Sequence, residues 1–132
     1  MFLLDTNTVS LSFRAPTPSL ARKFQAAPPS SLFLSSIVEA EIRYGIAKKR
    51  EAGAKLARLF DLFLSKVTVL PWTSASAKEY AQVRTASEAA GVTIATVDLM
   101  IATSAKEHDL TLVTHDGALF QLRPWMRVED WA

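Results

Sequence analysis

The sequence predicts an α/β domain built on a mainly parallel sheet. Two observations carry this reading: short apolar runs alternate with longer segments of helical periodicity, and each run stops at a polar or turn-forming residue. A third is negative. No internal repeat, low-complexity tract or long linker interrupts the alternation, so the 132 residues read as one domain over 1–132.

Phe2 to Leu4 is an apolar run ended by Asp5 and reads as a buried strand entering a polar turn. Residues 17–27 read as a helix closed by Pro28-Pro29. Leu32-Phe33-Leu34 forms a second strand, after which Ser35-Ser36 offers an N-cap for a helix over 37–50. A further helix spans 52–65, and Val67 to Leu70 makes a third strand stopped by Pro71. A helix over 74–89 ends with Gly91 at the position where a left-handed cap is favoured. Thr96 is expected to cap a helix over 97–108. Leu110 to Thr114 makes a fourth strand running into His115-Asp116-Gly117, and a weak last strand is expected near Met126–Val128.

Composition narrows the function classes. Hydrophobic residues at 49% against 21% charged allow a real core and argue against disorder. No apolar run approaches the roughly 18 residues of a membrane span, and MFLLDTNT carries no basic start, so it does not read as a signal peptide. The absence of cysteine excludes disulfides, thiolate metal sites and cysteine nucleophiles, and fits a reducing cytoplasm. The net charge is only +2, but Arg43, Lys48, Lys49, Arg50, Lys55 and Arg58 cluster around a single acid, Glu51. That stretch reads as a solvated helix face or as a surface for a phosphate-rich ligand, with Arg43, Lys48, Lys49 and Arg50 as the candidate contacts.

Four acids stand out by position. At about 100° per residue, Ile37, Val38, Glu41, Ile42, Tyr44, Gly45 and Ile46 share one arc, with Glu39, Arg43 and Arg50 opposite. Glu41 is therefore expected within the core-facing stripe, where a carboxylate needs a partner, a proton or a metal. Asp98 precedes Ala102 and Ala105 on its own helix, small residues that allow close packing; it could equally do no more than complement the helix dipole. Asp5 and Asp116 follow predicted strands, beyond whose carboxyl ends open parallel sheets place their chemistry. Alternatively, Asp5 shapes a turn or caps a following helix, and Asp116 shapes the Asp-Gly turn.

Grouped carboxylates repel, by about 4 kcal/mol per pair at ~4 Å and an effective dielectric near 20, so a shared site calls for a positive charge. Oxygen-only ligation, with neither His108 nor His115 in a ligand-spaced motif, points to Mg²⁺ or Mn²⁺ rather than Zn²⁺. A site of that kind suits phosphodiester hydrolysis by metal-activated water.

Four segments resemble the PIN-domain family, and within it the VapC-type toxins of toxin–antitoxin pairs: LLDTN at 3–7, SSIVEAEIRYG at 35–45, GVTIATVDLMIA at 91–102 and LTLVTHDGALF at 110–120, followed by a terminal VEDW. The resemblance implies a three-layer α/β/α sandwich, Mg²⁺- or Mn²⁺-dependent endoribonuclease activity on tRNA or rRNA loops, and a cytoplasmic homodimer neutralised by a VapB-like antitoxin. It implies that Asp5, Asp98 and Asp116 hold metal, that Glu41 ligates directly or through water, and that Asn7 and Thr114 hydrogen-bond at the site. Val38 stands where the family commonly has a hydroxyl and Ala95 where glycine is frequent; position 116, Asp or Asn in the family, keeps its acid.

LLDTNT also resembles the opening of haloacid-dehalogenase-type phosphatases with Asp5 as nucleophile, but these need a second acid where Asn7 stands. A non-catalytic RNA- or protein-binding module would gain nothing from gathering mutually repelling acids. Trp72, Trp125 and Trp131 could stack on bases, but aromatic residues near element ends more often build core or interface. His108 reads as solvated capping and His115 as a turn residue.

Overall fold

The computed structural model describes residues 1–132. Five strands, β1 (Phe2–Leu4), β2 (Leu32–Ser35), β3 (Thr68–Leu70), β4 (Thr111–Val113) and β5 (Val128–Glu129), form one sheet in the order β3-β2-β1-β4-β5. Every neighbouring pair is parallel, so the sheet is more uniformly parallel than expected. Six α-helices connect the strands: α1 (Thr6–Arg14), α2 (Pro18–Ala26), α3 (Ser36–Ala47), α4 (Arg50–Leu64), α5 (Ser74–Ala89) and α6 (Thr96–Glu107). Leu3 and Leu4 point to opposite faces of the central strand and both are fully buried. Both faces of the sheet are therefore covered, which is the three-layer arrangement. No helix is long and apolar enough to cross a membrane.

The strand order locates the working end. The chain lays β1, β2 and β3 outward in one direction, then crosses back through α5 and α6 to place β4 on the other side of β1. The order thus reverses between β1 and β4, and the crevice at the carboxyl ends of those two strands is where open parallel sheets bind ligands. Asp5 follows β1 and Thr114 follows β4. The Asp5 N–H donates to Val113 O at 3.1 Å and the Thr114 N–H to Glu129 O at 2.9 Å, so both residues are pinned to the sheet one step past its strands.

Local chemistry explains most helix ends. Ser35 caps α3 by accepting from the Ile37 N–H at 3.1 Å. α5 ends as expected: Gly91 adopts φ +82°, the Val92 N–H reaches Ser87 O at 2.8 Å, and the Gly91 N–H reaches Glu88 O at 3.0 Å. Three details differ from the sequence reading. The helix expected over 37–50 stops at Ala47, and α4 begins at Arg50. Thr96 is the first residue of α6 rather than its cap; Ala95 occupies the cap position and offers no side-chain oxygen. A whole helix, α1, was not placed by periodicity, because TNTVSLSFR is rich in hydroxyl and β-branched residues of modest helix propensity. It forms because Asp5 caps it and because Phe13 packs edge-on against Phe60 and Phe63 of α4, with ring centroids at 6.3 and 5.5 Å.

Candidate active site

Asp5 is the most tightly held of the four acids. It is 5% exposed, and both carboxylate oxygens are occupied: Oδ1 accepts from the Thr8 N–H at 2.8 Å, and Oδ2 from the Thr114 hydroxyl at 2.5 Å. The first bond is the helix cap, so the structural role weighed for Asp5 is real and coexists with its place in the crevice. Burial pushes the Asp5 carboxyl above the ordinary carboxylate range; hydrogen bonds from Thr114 and Thr8 oppose that rise, and the charge of Asp116 adds to it.

Thr114 ties two of the acids together. While its hydroxyl donates to Asp5, its oxygen accepts from the Asp116 N–H at 3.0 Å, and the residue is fully buried. Asp116 in turn caps a short 3₁₀ segment, Gly117–Leu122, by accepting from the Ala118 N–H at 2.9 Å. Beside it, His115 Nδ1 lies 2.8 Å from Asp130 Oδ2, which anchors this turn to the terminal VEDW segment.

Asp98 lies in the first turn of α6, half-buried, above the fully buried Ala102 and Ala105. Burial raises its carboxyl above the usual range, and repulsion from Asp116, Glu41 and Asp5 pushes in the same direction. The charges of all four acids therefore act on one region.

Glu41 requires a correction. The helical wheel placed it inside the core-facing stripe, yet Glu41 is exposed, and so is Tyr44 on the same arc. Only Val38 and Ile42 of α3 are buried, so the buried stripe is narrower and Glu41 sits on its shoulder, over the mouth of the crevice. Its Oε1 accepts a hydrogen bond from the Thr6 hydroxyl. Sequence reasoning missed Thr6. The only signal was that it follows the capping Asp5, and its partner lies 35 residues away on another helix.

A polar cavity of about 90 Å³ is lined by Asp5, Thr6, Asn7, Glu41, Asp98, Ile101 and Leu119. The structure thus brings three of the four acids, and Asn7, to one cavity, and holds Asp116 beside it through Thr114. No three acid or imidazole side chains close to metal-ligand spacing. The residues nonetheless fit a hard cation: the donors are all oxygen, the carboxylates have unshared lone pairs, and the volume admits an ion with about two or three waters at ~30 Å³ each. Asn7, at the cavity mouth, cannot be the second acid that the phosphatase reading required.

Next to this cavity runs a larger groove of about 210 Å³ between α1, α3 and α4, sharing Thr6 and Glu41 with it. Its floor is apolar, with Phe13, Ile42, Ile46, Leu56 and Phe60, and Arg14 and Lys49 stand at its rim. Of the basic residues named as phosphate contacts, Arg43 is already committed: it pairs with Glu39 at 2.7 Å and Asp61 at 3.2 Å. Lys48, Lys49 and Arg50 take part in none of the chain's ion pairs.

A family model, PIN domain, matches residues 2–123. The chain belongs to the PIN-domain family. Its relatives include Ribonuclease VapC2 of Rickettsia felis, 30% identical over 132 residues that cover 99% of this chain and 98% of the relative. The tRNA(fMet)-specific endonuclease VapC of Salmonella typhimurium is 30% identical over 130 residues, covering 98% of this chain and 97% of the relative. Among solved structures, VapBC2 from Rickettsia felis bound to a DNA fragment from their promoter superposes with a TM-score of 0.86 at 27% identity, covering 99% of this chain and 98% of that one. Both relatives span this chain nearly end to end, and the carboxylates of the crevice fall within the residues that the PIN-domain match covers.

Proposed function

We propose that this chain is a Mg²⁺- or Mn²⁺-dependent endoribonuclease, the toxin of a toxin–antitoxin pair, which hydrolyses phosphodiester bonds in single-stranded loops of cytoplasmic tRNA or rRNA. The observation that carries the reading is Asp5, buried and hydrogen-bonded at both oxygens, facing the same polar cavity as Glu41 and Asp98. A native fold tolerates mutually repelling acids there when a cation supplies the counter-charge.

Asp5 and Asp98 would hold the cation, with Asp116 and Glu41 completing its surroundings. When bound, the cation supplies Lewis-acid stabilisation of phosphate charge and lowers the pKa of a water molecule. The rest falls to the chain. Thr8 and Thr114 fix the Asp5 carboxylate in one orientation, so no rearrangement of that group is needed at the moment of reaction. Thr6 holds Glu41 at the cavity mouth, where a carboxylate can take a proton from an entering water. Ile101 and Leu119 limit the water around the acids. Loops are the favoured substrates because splayed bases are readable in RNA, whereas A-form helices hide theirs, and a relative is named as tRNA(fMet)-specific.

A VapB-like antitoxin is the expected partner of the homodimeric toxin. The apolar groove beside the acids suits an inhibitory segment, because a chain seated on it would abut Glu41 and Thr6. Purified, antitoxin-free protein should cleave total RNA with Mg²⁺ and stop in EDTA. Asp98→Asn should reduce cleavage by at least about a hundredfold. Cleavage that survives EDTA would remove the metal from the mechanism, and RNA binding without turnover under every cation would favour a binding module.

A further inference from the structure

The aromatic side chains of this protein are nearly all committed to its interior. Trp131 is buried and packs edge-on against Phe2 and Phe24, with centroids at 4.9 and 5.7 Å. Trp72 packs against Tyr80 at 6.1 Å, and Phe13, Phe60 and Phe63 pack on one another. Trp125 is half-buried against the hydrophobic core, so all three tryptophans have structural roles. Tyr44 is the exception: 65% exposed, it is the one aromatic residue among the large exposed hydrophobic side chains.

A single exposed apolar side chain is ordinary on any protein surface; the position of this one is what matters. Glu41 and Tyr44 lie on one stripe of α3, and Lys48, its C-cap, continues that stripe because its backbone is still helical at φ -72° and ψ -18°. Helical side chains lean toward the helix N-terminus, so the Tyr44 ring covers the turn that carries Glu41. Lys48 Nζ stands 4.7 Å from the ring centroid. An ammonium covers one face of a ring and leaves the other open, and this one belongs to no ion pair that would neutralise it.

We propose that Tyr44 and Lys48 form a nucleobase-stacking subsite for the nucleotide next to the scissile phosphate: a base lies on the open face of the Tyr44 ring, and Lys48 meets the adjoining phosphate. The proposal rests on the ribonuclease reading and names how the same site grips its substrate. Stacking on an aromatic ring is available to every base, so the subsite adds affinity and registration rather than sequence choice. It would hold one nucleotide splayed from its neighbours a single helical turn from the carboxylates, which is the geometry a loop can adopt and a duplex cannot.

The test measures binding of a short fluorescein-labelled single-stranded RNA to protein carrying Asp98→Asn, across a series of salt concentrations. Adding Tyr44→Ala should weaken binding by about tenfold or more, with the salt slope unchanged, and Tyr44→Phe should restore it. Adding Lys48→Ala should instead flatten the slope of log K against log salt by about 0.7. An abasic nucleotide scanned along the RNA should weaken binding to the parent at one position, and Tyr44→Ala should cause no further loss there. Binding indifferent to Tyr44→Ala, or weakened equally by Tyr44→Phe, overturns the subsite while leaving the ribonuclease reading in place. Failure of the unsubstituted protein to bind or cleave RNA with Mg²⁺ present overturns both. Should Tyr44→Ala change only self-association or capture by a protein partner, with RNA affinity intact, the ring belongs to a protein interface and the subsite is wrong.

Discussion

A single threonine does more for this site than its size suggests. Thr114 donates to Asp5 and accepts from the Asp116 backbone, and it lies fully buried between them. Replacing it with valine keeps the shape and removes both bonds, leaving a buried carboxylate one donor short. The expected cost is about 1.5–3 kcal/mol in urea unfolding at neutral pH, with most of it recovered in Thr114→Ser. Asp98 should behave in the opposite way. Its carboxyl is raised by burial and by three neighbouring acids, so the charged form costs stability in the metal-free fold. Asp98→Asn should therefore raise the Tm in EDTA at pH 7 by about 2–5 °C while impairing cleavage. The sign follows from linkage: a carboxyl whose folded pKa is raised binds protons more readily folded than unfolded, so stability falls as pH rises from its ordinary value through the raised one. The Tm gap between Asp98→Asn and the parent should accordingly close below about pH 4, where both side chains are neutral.

At the scale of elements, the strands and the later helices were legible and α1 was not, for a physical reason. Fully buried parallel strands read as short apolar runs with sharp polar ends, and Phe2–Leu4, Leu32–Ser35 and Thr111–Val113 all do. α1 owes its existence to a cap and to aromatic packing against α4, interactions that the local sequence does not display. The same blindness cost the sequence reading Thr6. For Glu41 the periodicity was right about the helix and wrong about the depth, because α3 buries only two of its residues. The α3–α4 junction makes its own prediction. A Cβ placed on Gly53 would lie 2.8 Å from the Ile46 carbonyl oxygen, a backbone atom that cannot swing aside. Gly53→Ala should destabilise the fold by about 1–3 kcal/mol by pushing α4 away from α3, measured as a lower denaturation midpoint at unchanged m-value.

For the whole molecule, the decisive feature is the reversal of strand order between β1 and β4, which sets residues far apart in sequence at the mouth of one crevice. Asp5 and Asp116 were legible as strand-end acids, and Asp98 as an acid above small buried residues. Their convergence was expected from the pattern of the four acids together and from the family resemblance; no single element displays it, since it depends on which strand ends adjoin. The fold assembles the acids around a 90 Å³ cavity without a counter-charge of its own; Lys49 and Arg14 line the neighbouring groove instead. On the proposed function this counter-charge is a divalent cation held by the acids, and calorimetric titration of Mn²⁺ into the metal-free protein at pH 7 measures that binding. Saturable binding to the parent is expected, with affinity at least about tenfold weaker in Asp98→Asn, although that variant should stay folded and gain thermal stability. Equal Mn²⁺ affinity in the two proteins, or no binding by the parent at concentrations that support RNA cleavage, would contradict it.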